Sequence, residues 1–402
     1  MGGPLAGIRI VDLTTVLMGP YATQILGDFG ADVIKVESPD GDLVRGIGPA
    51  RHPDMGPMFL NTNRSKRSVV LDLKQAAGRQ ALLRLARDAD VLVYNVRPQA
   101  MARLGLAYDD VAAINPRIVY AGLFGFGQDG PYAAHPAYDD LIQGAVGLPA
   151  LLGRVGGDEP RYLPTNMADR TVGLYAVGAI LAALMHRERG GGGQRLDIPM
   201  FETMAQFVLG DHFGGRTYEP PAGETGYPRL LAAARRPFAT ADGHICALIY
   251  TDRHWRSFLT ALGRPEAFDQ DPRLASLGVR TRHINDLYGE LAAILATRTT
   301  AEWTGLFREI DIPCTPMHDL DGLIDDPHLA ATGFFPIVDH PTEGPIRSMR
   351  VPSQWSATPP RPDRLAPRLG QHSHEILREA GYTDDEIDAM TAARVTAGPA
   401  PR

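Results

Sequence analysis

The sequence predicts an α/β protein with a large domain built on a parallel sheet and a smaller α+β domain. Three observations carry this. The 402 residues exceed the usual size of a single hydrophobic core. The N-terminal half alternates short apolar runs with helical stretches, the spacing of parallel strands joined by crossovers. A Gly- and Pro-rich passage between Pro220 and Pro228 then precedes a hairpin signal at Asp242-Gly243.

Taken in order, Ile8 to Leu13 reads as a strand, Pro20 as the first residue of a helix with Tyr21, Ile25 and Phe29 on one face, and Asp32 to Glu37 as a second strand. Further strands are expected at Ser68 to Leu73, Asp90 to Tyr94, Arg117 to Ala121 and Arg195 to Ile198. Residues 1–200 are therefore expected to form a Rossmann-like large domain, with 201–230, which holds the Gly- and Pro-rich passage, expected as a linker. In 231–325, a small α+β domain, Phe238 and the Ile245, Ala247, Ile249 run flank the hairpin turn. There Trp255, Phe258, Leu259 and Leu262 recur at helical spacing up to Gly263. Thr299 to Glu302 and Thr383 to Glu386 read as capping boxes. The Pro-rich segment Thr358 to Pro367 is an extended connector within 326–402, whose helical tail returns to the large domain.

Composition excludes several functions. A net charge of −7 gives no electrostatic basis for nucleic-acid binding. Cys246 and Cys314 form no CxxC pair, and no HExxH occurs among the histidines, so neither disulfide framework nor metal site is expected. His372-Ser-His374 reads as a solvated helix entry. The N-terminus has neither signal-peptide order nor a myristoylation pattern, and the apolar run Val172 to Met185 is too short to span a bilayer. A cytoplasmic protein without membrane partner is expected.

Pro164 to Leu184 sets a single carboxylate, Asp169, at the mouth of a long apolar helix. Free N–H groups at a helix start would hold it ionised while apolar neighbours remove its water, the setting of a nucleophile. The same residues also read as a plain Asp N-cap. Gly125-Phe-Gly-Gln-Asp-Gly130 matches GxGxxG, but Pro131 and the polar or small residues after it do not open an amphipathic helix, so it is not a dinucleotide fingerprint. Gly190 to Gly193 reads as a helix stop and turn.

Several segments together resemble the class III CoA-transferases, the CaiB/BaiF family. They are Asp12-Leu-Thr-Thr-Val-Leu-Met-Gly-Pro20, Gly30 to Glu37, Asn63 to Lys74, Asn95-Val-Arg-Pro98 with Arg103-Leu-Gly-Leu106, and Gly125 to Pro131. The resemblance continues through Ala137-Tyr138-Asp139, the Asp169 helix, Gly191 to Asp197, Phe238 to Gly243, Ile312 to Pro316 and Ala366 to His372, nearly the whole chain.

The resemblance implies Asp169 as nucleophile in CoA transfer between an acyl-CoA and a carboxylic acid, through an aspartyl anhydride and an aspartyl-CoA thioester, without ATP or metal. CoA and acyl-CoA would be substrates, not tightly bound cofactors. It further implies contacts to CoA from Val16, Leu17 and Met18, from Leu71 and Lys74, and from Asn95, Val96, Arg97 and Arg103, with Tyr138 and Asp139 near the thioester. Lys74, Arg97 and Arg103 suit a multiply phosphorylated ligand on an acidic protein.

Departures are Ser38, where some relatives carry a basic residue, Gln99 in place of a common glycine, and only Gly223-Glu-Thr-Gly226 where some transferases have a glycine-rich loop. An interlocked homodimer is implied as well. The alternatives are a 2-methylacyl-CoA racemase of the same fold, whose relatives carry Gly-His-Asp where this chain has Ala137-Tyr138-Asp139, and a noncatalytic CoA-binding protein.

Overall fold

A computed structural model describes residues 2–156, 159–360, 362 and 364–399. The chain divides into two compact units. One comprises residues 1–146, 163–206 and 331–402, the other 147–162 and 207–330. Nothing in the sequence marks the excursion at 147–162.

The first unit is built on six parallel strands, β1 (Arg9–Leu13), β2 (Asp32–Glu37), β3 (Lys66–Val70), β4 (Val91–Tyr94), β5 (Val119–Phe124) and β6 (Gln194–Pro199), in the order β3-β2-β1-β4-β5-β6. This is the doubly wound order of a Rossmann-like sheet, reversing direction between β1 and β4. Strands β4 and β5 are buried along their whole length, as a parallel sheet covered on both faces requires. One core gathers Val11, Ile34, Leu92 and Tyr120 with Leu82 and Leu85 of helix Ala76–Arg87, and with Ile376 and Leu377 of helix Ser373–Glu379.

Strand β3 lies at the edge of the sheet, and the C-terminal segment covers that edge. Ser68 N–H donates to His372 Nδ1 at 3.2 Å, Val70 N–H to Ser373 Oγ at 3.1 Å, and Asp72 N–H to the Val395 carbonyl at 2.8 Å. Arg67, its side chain 3 % exposed, adds ion pairs to Asp32 at 2.6 Å, Glu375 at 2.8 Å and Glu379 at 2.7 Å. The Pro-rich connector lies partly outside the described residues.

Several boundaries differ from expectation. Helix α1 (Met18–Asp28) opens two residues before Pro20, and β3 begins at Lys66 rather than Ser68. The second shift places Lys66 and Arg67 inside a buried strand, which hydropathy alone disfavours. Helix Met167–Glu188 runs 22 residues, long and apolar enough to cross a membrane by those measures. Its Val172, Ala176, Ile180 and Leu184 are nonetheless buried inside the unit, and a Cβ at Gly173 would lie 2.9 Å from the Met18 carbonyl oxygen of α1. Only glycine permits that approach.

The second unit carries an antiparallel sheet of β7 (Phe238–Ala239), β8 (His244–Ala247) and β9 (Cys314–Pro316). Trp303, Phe258 and Phe307 form its aromatic core, and Trp303 Nε1–H donates to the Leu295 carbonyl at 2.8 Å. The capping boxes at Thr299 and, in the first unit, Thr383 are both formed. Gly223 to Gly226 folds back on the preceding turn, with Gly215 N–H donating to Glu224 O at 2.9 Å and Gly226 N–H to His212 O at 2.8 Å.

Candidate functional site

The reversal between β1 and β4 leaves a crevice at the carboxyl ends of the strands, where an open α/β sheet takes its ligands. A cavity of about 350 Å³ lies there. Val16, Leu17 and Met18 after β1, Asn95, Val96 and Arg97 after β4, Tyr138, and Asp169 all line it.

The two strand ends are fastened to each other by Asn95. Its Oδ1 accepts from Thr15 N–H at 3.1 Å and its Nδ2 donates to the Thr15 carbonyl at 2.8 Å. Val16 then takes φ +69°, a left-handed conformation costly for a β-branched residue. Asp42 Oδ1, 3.1 Å away, holds its N–H there.

A buried charge network supports this loop from beneath. Lys35 Nζ donates to Asp42 Oδ2 and to the Thr14 carbonyl, each at 2.9 Å. Asp12 accepts from Thr23 Oγ1 at 2.6 Å and from Lys66 Nζ at 3.1 Å, and Lys66 also donates to Pro20 O and Asn63 Oδ1. Asp12, Lys35 and Lys66 have no exposed surface. Burial, only partly offset by the Asp12 charge, pulls Lys66 down to about 8. Glu37 pairs with Arg45 at 2.7 Å, and the Arg45 guanidinium stacks 3.6 Å over Phe59. Asp12, Thr14, Pro20, Lys35, Glu37, Asn63 and Lys66 fall in the segments that carry the family resemblance, so part of that signature is internal scaffold.

Asp169 is not the N-cap. Asn166 holds that position without a side-chain cap bond, and Asp169 lies in the first turn. The cap comes from another element: Asp139, at the start of helix Asp139–Ala145, accepts the Asp169 backbone N–H on Oδ1 at 2.9 Å. Asp139 Oδ2 accepts from Gln143 Nε2 at 2.7 Å. The fully buried Gln143 also donates to the Thr165 carbonyl at 3.1 Å and accepts from Leu163 N–H at 2.9 Å.

The expectation that the helix start keeps Asp169 ionised is corrected. Burial, then the Asp139 charge, push the half-buried Asp169 up to about 7, and Arg170 offsets this only in part. The backbone N–H of Asp169 itself is given to Asp139.

The remaining expected residues lie elsewhere. Asp139 stands behind Asp169, 6 % exposed, and does not line the cavity. Leu71 is 1 % exposed within the core beside Val69 and Leu82, and is not on the cavity wall. Lys74, between β3 and helix Ala76–Arg87, and Arg103, ending helix Pro98–Arg103, are exposed and also off the wall. Gly125, Gln128 and His135, none of them among the expected contacts, also line the cavity. His135 stacks on Tyr132 with ring centroids 5.2 Å apart. A Cβ at Gly125 would lie 2.3 Å from that of Ala137, so the glycine pattern that is no dinucleotide motif provides a close backbone approach here. Among the described residues, no group of three or more His, Cys, Asp or Glu is placed to hold a metal.

A half-buried carboxylate on the wall of a crevice at the carboxyl ends of the strands marks a ligand site of the open α/β type. Residues 5–373 match the model of CoA-transferase family III, and the chain belongs to that family: it is a CoA-transferase. An acyl-CoA transferase of Fusarium pseudograminearum is 35% identical over 96% of this chain and 86% of its own length. A succinate–glutarate CoA-transferase of Agrobacterium fabrum is 33% identical over 94% and 95% respectively. A crystal structure of a CaiB/BaiF family protein from Brucella suis superposes with TM-score 0.78 at 30% identity, covering 94% of this chain and 100% of that one.

Proposed function

We propose that the protein exchanges CoA between an acyl-CoA and a free carboxylic acid with Asp169 as the covalent carrier. The observation that carries this is the placement of Asp169 on the wall of the crevice formed by the β1 and β4 loops. An Asp169 oxygen attacks the thioester carbonyl, the C–S bond breaks, and CoA leaves as thiolate, giving an aspartyl anhydride. The thiolate attacks the aspartyl carbonyl and releases the donor acid, leaving an aspartyl-CoA thioester. The acceptor carboxylate attacks that thioester and expels the thiolate again. The thiolate takes the new acyl group and frees Asp169. Each step exchanges one acyl bond for another, so the energy of the thioester is retained.

In this reading Val16, Leu17 and Met18 flank the pantetheine arm, Asn95 and Val96 the adjoining wall, and Arg97 the phosphates. Lys74 and Arg103 serve the phosphates beyond the cavity, Leu71 supports that loop from the core, and Asp139 positions Asp169. A homodimer fits the exposed apolar residues Leu174, Tyr175 and Met185 on the Asp169 helix.

The test is intact-protein mass spectrometry of wild type and Asp169→Ala mixed with a panel of acyl-CoA thioesters, with hydroxylamine to trap activated aspartate. An adduct in wild type alone, mapped to Asp169, is expected. Absence of an adduct together with solvent deuterium entering the α-carbon of a 2-methylacyl-CoA would sink the proposal in favour of the racemase, for which His135 on the same wall supplies a base.

A further inference from the structure

Beside the three-stranded sheet of the second unit lies another cavity, of about 520 Å³. Arg229, Arg235 and Arg236 line it, and no carboxylate does. Among the described residues none of the three has a carboxylate within 4.0 Å, so their charge on this cavity is not neutralised by an ion pair. The Arg229 guanidinium sits 5.1 Å over the Tyr250 ring, and its Nε–H is buried without an acceptor. A buried donor left unmade costs free energy that an arriving acceptor recovers. Phe238, Leu248 and Tyr288 supply apolar wall, and the volume suits a small organic molecule better than an inorganic ion. Three guanidiniums gathered on one cavity, in a chain of net charge −7, match a ligand with more than one negative charge.

We propose that this cavity binds an organic anion carrying at least two negative charges on a partly apolar body. Dicarboxylic acids and phosphate esters share that chemistry. All of its lining residues belong to the second unit, and Asp169 is not among them.

Cys246 lines the same cavity, half-buried, and Cys314 is the only other cysteine of the chain, so thiol alkylation gives a local readout. The rate of Cys246 modification by N-ethylmaleimide is followed by peptide mass spectrometry in full-length Asp169→Ala protein. Glutarate, adenosine 3′,5′-bisphosphate and, at matched ionic strength, acetate are compared. At a concentration ten times its dissociation constant a ligand slows the reaction about tenfold. Protection by glutarate assigns the dicarboxylate source and protection by the bisphosphate the nucleotide source. Either is expected to vanish in Arg235→Gln/Arg236→Gln, two exposed positions, with the unprotected rate unchanged. The proposal is overturned if neither dianion protects, if acetate protects equally, or if the double variant retains protection. Because the background lacks Asp169, failure of the covalent mechanism leaves this result intact.

Discussion

Burial and the neighbouring Asp139 charge together push Asp169 up to about 7, so the carboxylate is half ionised near neutral pH. Only the ionised form attacks a thioester, and adduct formation is therefore expected to rise with pH through about 7 and level off above it. Asp139→Asn keeps an oxygen for the Asp169 N–H but removes the like charge. The rising limb should move to lower pH while staying above the ordinary carboxylate range, since burial is the larger cause; rapid-quench rates across pH 5 to 9 check this. The same shift bears on stability with a definite sign. A carboxylate whose folded value is raised favours the fold while protonated, and that contribution is lost as pH rises from about 4 through about 7. Asp169→Asn never ionises, so its Tm should gain on wild type across that window and hold the gain above it. In transfer, Asp169→Ala should lower kcat/KM by about 10³-fold or more.

At the level of elements, the crevice depends on how two strand ends are tied. Asn95→Ala frees both the N–H and the carbonyl of Thr15, and a cost of about 1–3 kcal/mol in unfolding free energy is expected, with a raised KM for acyl-CoA. Lys66→Met leaves the fully buried Asp12 with one fewer cation and should cost about 3–5 kcal/mol by denaturant titration. The sheet elements were legible because β4 and β5 are unbroken apolar runs bounded by helical spacing. The burial of Lys35, Lys66 and Arg67 was not, since a charge in a strand reads as exposed until its carboxylate partner is known, and those partners lie 7 to 54 residues away for the lysines and up to 312 for Arg67. Asp169 was legible as a carboxylate at a helix mouth. Its cap was not, because Asp139 is 30 residues upstream and reads as a first-turn acid of its own helix.

Across the whole molecule, the chain leaves the first unit at Phe207 and rejoins it at Ala331. Turn chemistry around the hairpin and the return of a helical tail were readable in local residue patterns. The 147–162 excursion was not, since only contacts distant in sequence define it. The edge of β3 ties these scales together: Ser68, Val70 and Asp72 find their partners at His372, Ser373 and Val395. During vectorial synthesis β3 therefore leaves the ribosome some three hundred residues ahead of the segment that shields it, while Phe238 to Pro316 of the second unit emerge entire in between. The nascent first unit spends that interval with an open strand edge, the state most exposed to mispairing and most dependent on chaperone cover.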